Sequence, residues 1–214
     1  LIDEAQKCNA SAVKFQTKDI ETAFPQELLN KNYEGPNSFG KTYREHKQVL
    51  ELSLEKLAEL KKYSEDRNLI FFSTPFDLKS LDNLEKLDQE IYKISSFHVT
   101  DLKLVEAIAN KKKPVIMSTG MSTIEEIDIA VEILNKHKCK YLIMHCVSSY
   151  PTDPKDLNLR AINVLRKRYD YAFYRYFFSL SSSTRCISGC TGSLAVWFSR
   201  PCNTNRSRDP RFSQ

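Results

Sequence analysis

The sequence predicts an α/β protein, because short apolar runs typical of buried strands alternate with longer segments of helical periodicity. The runs are Ala12–Gln16, Leu69–Phe72, Ile91–Ser95, Val115–Met117 and Tyr141–Cys146. Repeated strand–helix units form parallel sheets with right-handed crossovers. Two architectures fit this pattern: a (β/α)8 TIM barrel and an open doubly wound sheet.

The residues at the ends of these runs favour the barrel. Each run finishes in small polar or charged side chains, and barrel active sites gather such side chains from the carboxyl ends of many strands. An open sheet would concentrate them near one switch point. The sequence has only five glycines and no Gly-rich phosphate-binding motif.

Helical segments with recognisable starts separate the runs. Leucines between 50 and 60 predict one long helix, and Asp77 and Asp101 are suitable N-caps for the next two. Ser122 or Thr123 begins a fourth helix with two glutamates in its first turn, and Asp156 begins a fifth.

The distribution of charge divides the chain at residue 170. Residues 1–170 hold 26 basic and 26 acidic side chains, whereas residues 171–214 hold six Arg, one Asp and no Lys. The neutral first part argues against a nucleic-acid partner. The Ser-, Arg- and Cys-rich tail is compositionally anomalous, and we expect a shifted reading frame there rather than an interaction arm.

We expect the barrel to be incomplete, with its first strand and its last units missing or garbled. Five strand-like runs are visible, so one strand would precede Leu1 and two would follow Asp170. No apolar run is long enough to cross a membrane and no signal peptide is recognisable, so the sequence predicts a cytoplasmic protein. The polar loop 18–41 suits a lid, a subunit contact or a surface insertion.

Lys14 and Lys93 are the most informative candidate site residues. Each lies inside an apolar strand, and an ammonium group buried there needs a negative partner. Few acids lie within the strands, so we expect both lysines to bind an anionic ligand, such as a phosphate or a carboxylate. Hydroxyl donors follow the strands at the same end: Ser73, Thr74, Ser96, Ser118 and Ser148. We expect His145 to be structural and His46 to lie on a helix surface.

Five motifs in order resemble the N-acetylneuraminate (sialic acid) synthase family, NeuB-type, including its legionaminic and pseudaminic acid relatives. The motifs are Ala12–Thr17, Phe72–Asp77, Tyr92–Ser96, Met117–Thr123 and His145–Pro151, and the resemblance covers about residues 1–170. It implies a TIM barrel followed by an antifreeze-like domain, in a homodimer. It also implies condensation of phosphoenolpyruvate with N-acetylmannosamine or a related amino sugar, assisted by a divalent metal, Mn²⁺ or Mg²⁺.

The resemblance assigns site residues by position. It places Lys14, Thr74, Lys93, Ser96, Ser118 and Ser148 around the phosphate and carboxylate of phosphoenolpyruvate, and Gln16, Phe76 and Tyr150 near the sugar. At the family's acidic proton-transfer position this chain has His98, which is a candidate acid or base. We find neither the family's metal-binding histidines nor the antifreeze-like domain, and therefore expect an inactive fragment.

Two alternatives remain open. A Schiff-base aldolase on the same barrel would use Lys93 or Lys14 as its nucleophile and would need no metal. A non-catalytic binding remnant of the barrel would keep the anion site alone. An open barrel would expose unpaired strand edges, which favours aggregation.

Overall fold

Helices and parallel strands alternate along the chain, as the sequence predicts. The computed structural model describes residues 1–149, 152–169 and the backbone of 195–198. Its elements are α1 (Ile2–Lys7), β1 (Ala10–Thr17), α2 (Ile20–Ala23), α3 (Gln26–Leu29), α4 (Tyr43–Leu50), α5 (Leu54–Glu65), β2 (Ile70–Pro75), α6 (Leu78–Glu85), β3 (Tyr92–Ile94), α7 (Leu102–Asn110), β4 (Val115–Ser118), α8 (Ile124–Lys136), β5 (Tyr141–Met144), α9 (Ala161–Arg168) and β6 (Ala195–Phe198). No helix in this part of the chain could span a membrane.

The strands form two three-stranded sheets, in the orders β2-β1-β6 and β3-β4-β5. All pairs among β1 to β5 are parallel, which confirms the α/β class with parallel strands. The strand β6 differs, because it runs antiparallel along β1. A closed barrel is not formed by the described residues and stays a prediction. Most of the tail, residues 170–194 and 199–214, lies outside them.

A buried glutamine connects the two sheets. The side chain of Gln89 is fully buried just before β3, and its amide makes two hydrogen bonds with the backbone of Ser73 in β2. The Ser73 N–H donates to Oε1 at 2.9 Å, and Nε2 donates to the Ser73 carbonyl at 3.0 Å. Gln89 therefore satisfies the backbone groups that a neighbouring strand would otherwise satisfy.

The strands have two chemically different faces, because side chains alternate along a strand. One face packs with the helices into the apolar core, and it includes Val13, Phe15, Phe71, Tyr92, Ile94, Val115, Met117, Tyr141 and Ile143. The alternate residues Lys14, Gln16, Phe72, Thr74, Lys93 and Ser118 lie on the opposite face. We call this opposite face the lysine face.

Helix starts follow the predicted caps in three cases. Asp77, Asp101 and Thr123 each accept a hydrogen bond from a backbone N–H in the first turn of α6, α7 and α8. In α8, Thr123 and Glu126 form a complete capping box.

Two helix predictions were wrong. The single helix expected across residues 50–60 is divided into α4 and α5, because Ser53 accepts a hydrogen bond from the Lys56 N–H and begins a new helix. The helix expected at Asp156 is a 3-10 turn, Pro154–Asp156, capped by Asp153. The helix α9 begins only at Ala161, after Asn158 has taken a positive φ of 43°.

Replacing Gln89 tests the connection between the sheets. The Gln89→Leu variant leaves the buried N–H and C=O of Ser73 without partners, so we expect the free energy of unfolding to fall by about 2–4 kcal/mol. Urea denaturation measures this change. The control is Gln48→Leu on the exposed side of α4, which should change stability by less than about 0.5 kcal/mol. Equal effects of the two substitutions would contradict this role for Gln89.

Candidate active site

Two lysines lie on the lysine face, Lys14 buried and Lys93 half-buried. Lys14 in β1 is only 6% exposed, and its Nζ donates a hydrogen bond to the Phe15 carbonyl at 3.3 Å. Lys93 lies in the middle of β3, between the buried Tyr92 and Ile94. Among the described residues, neither ammonium group forms an ion pair with a carboxylate. The expected negative partner is therefore not supplied by this part of the chain.

The environment disfavours the charged form of both lysines. Burial, followed by the positive charges of Lys93 and Lys18, lowers the pKa of Lys14 to about 7. Burial also lowers the pKa of Lys93 to about 8, against a smaller opposing effect of Cys146. Both shifts have the direction expected for buried cations without a counter-ion. An anion between the two groups would reverse them.

Hydroxyl and amide groups lie on the same face. The register places Gln16 of β1 opposite Thr74 of β2, and Ser118 is buried at the end of β4. The Thr74 hydroxyl oxygen is fully buried and has no hydrogen-bond partner among the described residues. Because an unsatisfied buried hydroxyl is costly, this atom is a candidate contact for a polar ligand atom.

A second group of hydroxyls surrounds Gly120 in the loop after β4. The Gly120 N–H donates to Ser96 Oγ at 3.0 Å. A Cβ atom built on Gly120 would lie 2.4 Å from Ser148 Oγ and 3.1 Å from both Ser96 Oγ and the Cys146 carbonyl. Glycine thus allows Ser96 and Ser148 to approach one another.

A third group contains His98 and Phe76. The rings of Phe76 and His98 meet edge to face with centroids 4.8 Å apart, and Phe97 packs against the other side of the imidazole. His98 is buried, and its Nδ1 lies 2.6 Å from Ser95 Oγ. Burial lowers the pKa of His98, although Asp101 and Asp77 oppose this effect. The imidazole is therefore held mainly neutral near pH 7.

Lys18, which directly follows β1, completes the third group. Its Nζ lies 4.5 Å from the centroid of the Phe76 ring. Its backbone N–H donates to Glu51 Oε1 at 3.0 Å, and the next N–H, of Asp19, donates to Asp77 Oδ2 at 2.8 Å. Burial and the positive charge of Lys47 lower the pKa of Lys18.

The remaining sequence predictions have mixed outcomes. The Nε2 atom of His145 is hydrogen-bonded to the Leu157 carbonyl at 2.9 Å, as expected for a structural histidine. His46 was wrongly placed on the surface: it is 4% exposed, packs against Tyr33 and accepts a hydrogen bond from the Phe39 N–H. The aromatic residues of the loop 18–41 shield it, which helical periodicity alone does not reveal. Tyr150 lies outside the described residues.

The described residues do not fit a metal site of their own. Within residues 1–149 and 152–169, no three His, Cys, Asp or Glu side chains are grouped closely enough to hold a metal ion. Divalent cations such as Mn²⁺ and Mg²⁺ need several oxygen or nitrogen ligands.

Sequence reasoning missed Lys18 and Gly120. Lys18 follows the strand by one residue, in a loop whose course the periodicity does not predict. Gly120 belongs to the quoted Met117–Thr123 motif, but its close contacts depend on Ser96 and Ser148 from two other loops. A search for glycines at the carboxyl ends of strands would have found Gly120, whereas nothing in the sequence indicates that Lys18 lies on Phe76.

Several proteins with similar sequences are named as synthases of sialic-type acids. N-acetylneuraminate-9-phosphate synthase of Drosophila melanogaster is 38% identical over 79% of this chain and 46% of the relative. N,N'-diacetyllegionaminic acid synthase of Campylobacter jejuni is 33% identical over 79% of the chain and 52% of the relative. This chain thus spans about half the length of these relatives.

A solved structure and a family model agree with these relatives. N-acetylneuraminic acid synthetase from Leptospira borgpetersenii, solved in complex with citrate, superposes with a TM-score of 0.68 and 34% identity. The superposition covers 79% of this chain and 55% of that one. The model of the NeuB family matches residues 1–176. On this match, the chain belongs to the NeuB family.

Proposed function

We propose that this chain forms the substrate-binding part of a nonulosonic (sialic-type) acid synthase. The synthase condenses phosphoenolpyruvate with N-acetylmannosamine or a related N-acetylated amino sugar and releases phosphate. The observation that carries this proposal is the pair Lys14 and Lys93, one buried and one half-buried and both without carboxylate partners among the described residues, on the lysine face of a NeuB family member. We further propose that its strands belong to a (β/α)8 barrel in a homodimer.

Phosphoenolpyruvate carries the negative charge that the two lysines of the lysine face need as a partner. It carries a carboxylate and a phosphate, and a phosphate monoester has a charge of about −2 at neutral pH. Lys14 and Lys93 supply two cations, and Thr74 supplies an unpaired hydroxyl. Hydrogen bonds of this kind to an ionised ligand are short and strong. The Leptospira relative was solved in complex with citrate, a small carboxylate anion.

The groups around Gly120 and Phe76 complete the proposed site. Ser96, Ser118 and Ser148 bind the remaining oxygens of phosphoenolpyruvate, while Gln16, Phe76 and Tyr150 contact the sugar. His98 transfers a proton, because a neutral imidazole at this place can accept one near pH 7. The serines hold the enol carbon of phosphoenolpyruvate close to the sugar aldehyde, and such alignment lowers the barrier to carbon–carbon bond formation.

Replacing Lys14 or Lys93 should weaken the binding of phosphoenolpyruvate, and replacing Lys14 should also stabilise the unliganded chain. We expect Lys14→Met and Lys93→Met to lose most of their affinity for phosphoenolpyruvate in calorimetric titrations. We also expect Lys14→Met to raise the free energy of unfolding of the unliganded chain by about 1–4 kcal/mol, because a buried unpaired charge is removed. Lys113→Met, which removes an ammonium from the opposite end of β4, serves as the control. Unchanged affinity in both buried variants would contradict the proposal.

The amount by which Lys14→Met exceeds the wild-type chain in free energy of unfolding should depend on pH. The pKa of Lys14 is about 7 in the folded chain, against an ordinary value of 10.5. Between these values the unfolded chain binds more protons than the folded chain, so wild-type stability rises with pH. The advantage of Lys14→Met is therefore full below about pH 7 and disappears near pH 10.5. Affinity for phosphoenolpyruvate should fall as pH rises through this range, because the ligand needs the charged amine.

Gly120→Ala tests the second group of the site. The new methyl group would collide with Ser148 Oγ and crowd Ser96 Oγ, so we expect about ten-fold weaker binding of phosphoenolpyruvate, as for a lost hydrogen bond. The matched control is Gly35→Ala, because nothing lies within 4 Å of its Cβ position. Equal titration curves for the two variants would remove Gly120 from the site.

A Schiff-base aldolase is the second candidate function, and the lowered pKa of Lys14 is the observation that favours it. A pKa of about 7 leaves a neutral, nucleophilic amine in a large fraction of molecules at pH 7. Borohydride reduction in the presence of pyruvate distinguishes the two functions. We expect no adduct from the synthase. A reduced pyruvyl group on Lys14 or Lys93, located by peptide mass spectrometry, would instead establish the aldolase.

A further inference from the structure

Ser95 and His98 are joined twice across one short turn. They lie between β3 and α7, where Ser96–His98 forms a 3-10 turn. The His98 N–H donates to the Ser95 carbonyl at 2.9 Å, and Ser95 Oγ lies 2.6 Å from His98 Nδ1. A serine that begins a helical turn commonly accepts a hydrogen bond from the backbone of that turn, but this hydroxyl makes no such bond. The Ser95 hydroxyl is directed at the imidazole instead.

The imidazole is enclosed, whereas the serine is not. His98 is only 5% exposed, while Ser95 is half-buried. The rings of Phe76 and Phe97 meet the imidazole edge to face, with centroids 4.8 and 5.1 Å from its own. Neither of these aromatic rings can give or take a proton. A proton that reaches or leaves Nδ1 therefore passes through the Ser95 hydroxyl.

The second ring nitrogen decides which tautomer the contact with Ser95 selects. A hydrogen bond with the Phe76 backbone raises the pKa of His98, although burial outweighs this effect. A backbone group that raises the pKa of a histidine accepts a hydrogen bond from the ring, so this group is the carbonyl. A carbonyl only accepts, whereas a serine hydroxyl can also donate, and a neutral imidazole has one N–H and one acceptor nitrogen. Both contacts are satisfied together when Nε2 carries the proton and Nδ1 accepts from Ser95.

Charged groups act on His98 without replacing Ser95 as its partner. Burial has the largest effect on the pKa of His98 and lowers it, Asp101 and Asp77 raise it, and Lys18 lowers it further. The two carboxylates already accept hydrogen bonds from backbone N–H groups in the first turns of α7 and α6. The ring is therefore mainly neutral near pH 7, and its hydrogen bonds determine which nitrogen is protonated.

We propose that Ser95 is a positioning residue that holds His98 in the tautomer protonated on Nε2 and is the group through which Nδ1 exchanges protons with the site. This inference rests on the proposed function, which assigns proton transfer to His98. In that transfer a proton from the reacting group moves to Ser95 Oγ while the hydrogen of the hydroxyl moves to Nδ1. An imidazolium and an intact hydroxyl result, and the reverse movement returns the proton.

Nuclear magnetic resonance of the full 214-residue chain with isotope-labelled histidine tests this inference. The nitrogen shifts distinguish a protonated ring nitrogen from an acceptor, and a His98→Asn variant identifies His98 among the four histidines. We expect Nδ1 of His98 to be the acceptor and Nε2 to be protonated in the unliganded chain at neutral pH. Ser95→Ala should lower the ratio of this tautomer to the other about five-fold, as for one lost hydrogen bond. Ser95→Thr keeps a hydroxyl and should retain the wild-type ratio.

The matched control is Ser122→Ala, which removes a half-buried hydroxyl from the loop after β4 and should leave the His98 signals unchanged. Circular dichroism checks the folding of each variant. A protonated Nδ1 in the wild-type chain, an unchanged ratio in Ser95→Ala, or an equal change in Ser122→Ala would overturn the inference. The wild-type spectrum decides the tautomer even if Ser95→Ala does not fold. None of these spectra needs phosphoenolpyruvate, so the titrations of Lys14→Met and Lys93→Met decide the proposed function separately.

Discussion

Burial of lysine ammonium groups without a carboxylate partner is the constraint on which the candidate site depends. Lys14 and Lys93 lie in different strands, and burial, followed by the positive charges of Lys93 and Lys18, lowers the pKa of Lys14 far below its ordinary value. Core packing on the opposite strand face must compensate for this cost, because folded proteins are stable by only about 5–15 kcal/mol. Such an arrangement weakens the unliganded fold and prepares it for an anion. Stability and ligand binding are therefore opposed at these two positions.

The parallel arrangement explains why the polar groups gather in one place. In β3, β4 and β5 the carboxyl ends point the same way, so the loops that follow them bring Ser96, Gly120 and Ser148 together. Gln89 contributes indirectly, because its amide ties the β2 strand to the chain entering β3. The relative placement of β1 and β3, which carry Lys14 and Lys93, thus depends in part on this connection.

The sequence predicts the strands and most helix starts because their signals are local. Apolar runs and the caps Asp77, Asp101 and Thr123 each depend on a few neighbouring residues. The burial of Lys14 and Lys93 is also predictable, since each interrupts an apolar strand. His46 and Lys18 are not predictable in this way, because their surroundings are aromatic rings brought together by loops. Their environment depends on contacts between segments, which periodicity does not record.

The most direct test of this account is the titration of the lysine side chains in solution. Nuclear magnetic resonance of selectively labelled lysine, assigned with the Lys14→Met and Lys93→Met variants, gives the pKa of each amine with and without phosphoenolpyruvate. The account predicts values near 7 for Lys14 and near 8 for Lys93 in the free chain, and a clear rise of both when the ligand binds. Values close to the ordinary 10.5 in the free chain, or no rise with the ligand, would contradict it.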